Sequence, residues 1–242
     1  MPSRPDRPAG VPGAATISSV HADRTQGMGE DRKPVNDTPP LAGLIDQYEE
    51  FDHVAEQILD GTRAEITEHG LRRTSIDAIA RRAGVGRATV FRRFGNRDVL
   101  FSALIAREAR RLIATVDSEV ATRTDPEDRI VTGFLTFVRH LRAHPLARLL
   151  VTDSDEVLPK LTIDGDAPMA MGRQFIAEQI RRARADGATI IADVDELAEL
   201  LARLALSFVL TPNSVLPLDD PDRLAETART TIVPLILGSS GH

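Results

Sequence analysis

The chain of 242 residues has no cysteine and no tryptophan, a single tyrosine, and only two lysines, Lys33 and Lys160. Without thiols, disulfide frameworks, thiolate zinc sites, iron–sulfur clusters and cysteine nucleophiles are excluded. Long apolar runs are also missing. No stretch approaches the ~18–20 uninterrupted apolar residues of a membrane span. The longest uncharged run near the end, Leu204 to Leu218, is broken by Pro212, Asn213, Ser214 and Pro217. Residues 8–20 lack the compact apolar region of a signal peptide. A soluble cytoplasmic protein with no membrane partner is expected.

What is present suffices for a packed core: 42% of residues are hydrophobic and 27% charged, in a length that suits one or two domains. The net charge of −6 argues by itself against a nucleic-acid binder, but it is unevenly spread. Residues 47–62 hold five acids and no Lys or Arg, whereas residues 63–97 hold nine arginines against Glu65, Glu68 and Asp77. A basic block inside an acidic protein is the footprint of a polyanion partner. On charge alone, a solvated arginine face explains it equally well.

Residues 1–46 are expected to form a disordered tail. Seven of the 15 prolines fall within residues 1–40, with no helical apolar pattern and with bases and acids in balance. From about Tyr48 the pattern reads as helix throughout, and no period-2 strand run appears. Val54, Ile58 and Ile66 mark a first helix closed by Gly70. Thr74 or Ser75 can cap a short second helix. Gly84-Val85-Gly86 breaks that helix, Arg87 to Phe94 forms a third, and Asn96 caps a fourth from Arg97 to about Val120. Later helices are expected at 126–143, 146–151, 155–162, 168–186, 194–210 and 221–237. The expected fold is all-α: a first helical domain over 47–98 and a second over 99–242.

The informative stretch is Thr74 to Phe101, two short helices separated by a glycine turn. Ala80 is small where the helices are expected to approach, and Gly84 sits where the turn needs positive φ. Ile79, Val85, Val90 and Phe94 supply the core, leaving Arg87, Ala88, Phe91 and Arg92 facing outward. In the major groove, arginine can pair with guanine and an alanine methyl can touch thymine. The ordered set Thr74-Ser75-Ile76, Ile79-Ala80, Ala83-Gly84-Val85 and Thr89-Val90-Phe91-Arg92-Arg93-Phe94, followed by Asn96-Arg97-Asp98 and Leu100-Phe101, resembles the DNA-binding domain of the TetR family of bacterial transcriptional regulators. The likeness covers residues 53 to 101. It implies DNA contacts from Thr74, Ser75, Arg87, Ala88, Thr89, Phe91, Arg92, Arg93, Asn96 and Arg97, with Arg97 meeting phosphate. The sequence departs from the family pattern in three places. Gly86 stands where Ser or Asn often caps the recognition helix, Phe91 replaces a common Tyr, and Arg93 a common His or Tyr.

The resemblance further implies a C-terminal domain that dimerises and binds a small molecule. Leu197, Leu200, Leu201, Leu204 and Phe208, and then Leu224, Ala228 and Ile232, recur at helical spacing and are expected at a homodimer interface; core packing accounts for such stripes equally well. Phe134, Phe137, Met169, Met171 and Phe175 are candidates for an effector pocket between the fourth helix and the 168–186 helix. With so few aromatics, the effector is expected to be apolar or aliphatic.

Other constellations carry less. His140 and His144 stand i,i+4, but no third metal ligand is evident and no Glu follows His140; a partly buried or surface pair is the better reading. Asp153, Asp155 and Glu156 read as helix-capping residues near Ser154. No catalytic set, metal site or cofactor motif is found, and no enzyme is expected. The leading reading is a ligand-responsive homodimeric repressor released from a palindromic DNA operator. The alternatives are an activator or ligand-independent regulator and, from another class, a helical small-molecule-binding protein or enzyme with a vestigial helix-turn-helix.

Overall fold

The computed structural model describes residues 51–148, 155, 158, 166–211 and 213–238. All belong to one compact unit, Thr38–His242. The expected tail, half of the helix expected at 146–151, and nearly all of that at 155–162 lie outside the described residues.

Every regular element among the described residues is helical. The order is α1 (His53–His69), α2 (Ile76–Arg82), α3 (Arg87–Phe94), α4 (Arg97–Val120), α5 (Pro126–Ala143), a 3₁₀ turn (Pro145–Arg148), α6 (Asp166–Ala185), α7 (Val194–Leu210), α8 (Pro221–Thr227) and α9 (Val233–Leu237). Helix starts follow local chemistry. Asp52, Ser75, Asn96, Asp125, Asp193 and Asp220 each accept a backbone N–H of the first turn through the side chain. The single helix expected over 221–237 is divided. A π turn at Ala228–Ile232 joins α8 to α9. Pro234 has no N–H to donate and its ring crowds the carbonyl four residues back, so a widened turn accommodates it.

Two groups of helices share α4, which runs unbroken through residue 98, where the sequence reading divides the domains. At its N-terminal half, Leu100 and Leu104 pack with Ile58, Leu59 and Ile66 of α1, Ile79 of α2, and Val90 and Phe94 of α3. Its C-terminal half packs against α5 and α6. Further along the chain, α6 and α7 bury Ala177, Ile180, Leu197 and Ala198 against one another. Val131 of α5 meets Ala228 and Val233 of the last helices. Burying a leucine or isoleucine in such clusters contributes about 1.5–3 kcal/mol each, so both groups have the apolar content to hold their helices in register.

Candidate DNA-binding surface and ligand cavity

The turn between α2 and α3 is a Schellman motif. Gly84 takes φ +66°, its N–H donates to Arg81 O, and Val85 N–H donates to Ala80 O at 3.0 Å. Ala80 is buried in the cluster that holds Val90 and Phe94, and a further close approach lies between α1 and the end of α2. A Cβ added to Gly61 of α1 would stand 3.0 Å from Ala83 Cβ and 3.1 Å from Ala83 N. Gly61 therefore lets α1 and the end of α2 touch, a role the sequence reading missed. The available signal was a glycine inside an otherwise strong helical pattern.

On α3, Val90 and Phe94 are buried, while Arg87, Ala88, Phe91 and Arg92 are exposed and Thr89 is half-buried. Gly86 starts the helix with no side-chain cap bond. Arg87 pairs with Asp77 of α2 at 2.6 Å, and its guanidinium lies 5.2 Å from the Phe91 ring centroid. Three other candidate DNA contacts are engaged within the fold. Thr74 is buried and donates its hydroxyl to Gly70 O at 2.8 Å, closing the α1–α2 connection. Arg93 pairs with Asp52, the cap of α1. Arg97 is half-buried and donates to Leu71 O. Ser75 and Asn96 are exposed helix caps. Among the described residues, the exposed side chains of Arg73, Arg81 and Arg92 have no hydrogen-bond or ion-pair partner. Arg73 and Arg81 are thus further candidates for DNA phosphates. The charge count shows the basic block, but which arginines are free depends on where Glu65, Glu68, Asp52 and Asp77 fold.

A cavity of about 420 Å³ lies between α4, α5, α6 and α7. Phe134, Phe137, Met169 and Phe175 line it. Met171 does not: it is 1% exposed and packs beside Ala109 and Ile113 of α4. Phe208 reaches the cavity from α7 and stacks edge-on with Phe134, their centroids 5.6 Å apart. The expected dimer stripe consequently divides. Leu197, Leu224 and Ala228 are buried inside the protomer, and Leu201, Leu204, Phe208 and Ile232 line the cavity. Of the stripe, Leu200 is the most exposed, at 53%. Helical spacing identifies an apolar face, and tertiary packing then decides whether core, ligand or partner covers it.

One end of the cavity is polar. Glu108 of α4 accepts from Arg107 at 2.7 Å and lies 3.1 Å from His144 Nε2. Leu146 N–H donates to His144 Nδ1 at 3.3 Å, so Nε2 carries the proton that reaches Glu108. Burial pushes the Glu108 carboxyl up, but the bonds from His144 and Arg107 outweigh it and hold it down to about 2. Arg107, 2% exposed, also meets Glu56 and Asp60 of α1 at 3.0 Å each. A continuous line of charged contacts therefore runs from the cavity wall to the first helix beneath the helix-turn-helix. Among the described residues no group of three or more His, Asp or Glu is arranged to hold a metal ion, and no helix is long and apolar enough to cross a membrane.

Comparison with known proteins agrees with this architecture. Residues 58–104 match the model of bacterial regulatory proteins of the tetR family, and residues 125–232 match that of the bacterial tetracyclin repressor C-terminal domain. A helix-turn-helix regulator of uncharacterised role in Mycobacterium tuberculosis strain H37Rv is 25% identical over 187 residues, covering 77% of this chain and 87% of that protein. The transcriptional regulator AlkX of the same organism is 28% identical over 177 residues, covering 72% and 81%. The crystal structure of the TetR family repressor AlkX from Dietzia sp. strain DQ12-45-1b superposes with a TM-score of 0.59 at 21% identity, covering 74% and 93%. The chain belongs to the TetR family of transcriptional regulators. It is a DNA-binding helix-turn-helix regulator and not an enzyme.

Proposed function

We propose that the protein is a cytoplasmic homodimeric repressor that leaves a palindromic operator when an apolar small molecule fills the cavity. The observation that carries ligand response is the contact line from His144 through Glu108 and Arg107 to Glu56 and Asp60. A ligand that displaces His144 alters the ion pairs holding α1 to α4, and α1 supports α2 and α3. To shift the DNA-bound population, the ligand needs a differential affinity for the two states of about 1–3 kcal/mol. The Dietzia relative is implicated in biodegradation of n-alkanes, which is in keeping with an aliphatic effector.

Footprinting of full-length protein on DNA upstream of its own gene tests the reading. The expected result is a palindrome with half-sites about one helical turn apart or slightly more. Binding should weaken steeply with salt, and a promoter reporter should rise on gene deletion. Reporter loss on deletion would mean activation instead, and sequence-independent binding would overturn the operator reading.

A further inference from the structure

Among the described residues that line the cavity, one side chain has its hydrogen-bonding capacity left to offer. Along α5 its lining runs from Pro126 to Leu141, sixteen residues or about 24 Å of helix. At the Arg129 end the polar side chains satisfy one another: Arg129 donates to Gln179 at 2.8 Å, and Gln179 donates to Asp117 at 2.9 Å. At the other end both nitrogens of His144 and both oxygens of Glu108 are engaged. His140 alone differs. Its ring lies against His144, with centroids 5.7 Å apart, and among the described residues its nitrogens have no hydrogen-bond partner.

Resting on the effector reading above, we infer that the cavity takes an uncharged, unbranched aliphatic molecule carrying one terminal hydrogen-bonding group, of the alcohol or ketone kind, seated at His140. Charge decides against an acid head. Glu108 is ionised beside the site, whereas Arg139, the cation that acts on His140, is exposed and pairs with Glu119 at 3.8 Å. Burial, reinforced by His144, holds the His140 imidazole below its ordinary range and outweighs the pull of Glu108. The ring therefore meets its ligand neutral, with one nitrogen donating and the other accepting. A carboxylate would have to bring a proton onto that ring or remain an unpaired buried anion.

The test uses full-length protein without DNA and measures displacement of an environment-sensitive fluorophore by 1-dodecanol, dodecane, dodecanoate and dodecylamine. The alcohol should bind about tenfold tighter than each of the other three, roughly the contribution of one buried hydrogen bond. His140→Phe, which keeps a ring but loses both nitrogens, should reduce the alcohol-over-alkane preference to within about twofold. His140→Gln, which can still hydrogen-bond, should retain most of it. Both variants are first checked for native helicity and thermal unfolding. Dodecanoate or dodecylamine matching the alcohol overturns the proposal, as does a preference that survives His140→Phe in folded protein. Operator release by the same compounds is measured separately. Tight alcohol binding that leaves DNA bound would sink the effector reading while the ligand class stands.

Discussion

Arg87 is held between two neighbours, the Asp77 carboxylate at 2.6 Å and the Phe91 ring. Both ends of the Asp77 pair are half exposed or more, so DNA can compete for the guanidinium at little cost. Arg87→Ala should cost about 1–3 kcal/mol per base pair read and relax specificity at one position in each half-site. Arg97→Ala should weaken all sequences alike. These outcomes are read from a panel of single-base operator variants, and a uniform loss for Arg87→Ala would reverse the assignment. Glu108 sets a pH dependence. Its folded pKa lies below the ordinary 4.5, at about 2, so its stabilising contribution is complete above about pH 4.5 and is lost as pH falls towards 2. Glu108→Gln should destabilise neutral protein by about 1–3 kcal/mol, the scale of hydrogen bonds to a charged group. The gap to wild type should close in acid, as followed by far-ultraviolet circular dichroism. A gap constant from pH 7 to 3 would remove Glu108 from this role.

At the level of elements, the α1–α2 contact shows two magnitudes in competition. Alanine in place of a mid-helix glycine gains about 1 kcal/mol of helix propensity. At Gly61, however, the new methyl would meet Ala83 backbone at 3.1 Å, and overpacking costs about 1–3 kcal/mol. Because backbone cannot swing aside as a flexible side chain does, the clash wins. Gly61→Ala should lower the thermal midpoint and weaken operator binding, whereas a raised midpoint with full DNA affinity would show that α2 shifts freely. Much of this element-level layout is legible in the sequence. Ser75, Gly84 and Asn96 mark boundaries that the structure keeps because capping and left-handed glycine are local chemistry. The π turn before Pro234 was not legible, since a proline two residues into a helix segment also suits an ordinary start.

For the whole molecule, the question is which apolar surface remains once the protomer is complete. Leu200 on α7 and Leu235 on α9 are 53% and 43% exposed, on the two helices expected to pair two chains. Leu200→Glu should leave helicity unchanged, raise the dimer dissociation constant by at least about tenfold, and weaken operator binding with it. Sedimentation gives the first effect and gel shift the second; a dimer of unaltered affinity would put the interface elsewhere. The sequence by itself determined the all-α class, the helix-turn-helix and its outward α3 face. All of these rest on residues near one another along the chain: cap, turn glycine and 3.6-residue period. Tertiary structure alone decided that Met171 is interior, that Phe208 lines a cavity, and that Arg107 joins α1 to the cavity wall. Those roles depend on what a side chain meets 50 or more residues away, or across a neighbouring helix, and periodicity carries no record of the partner.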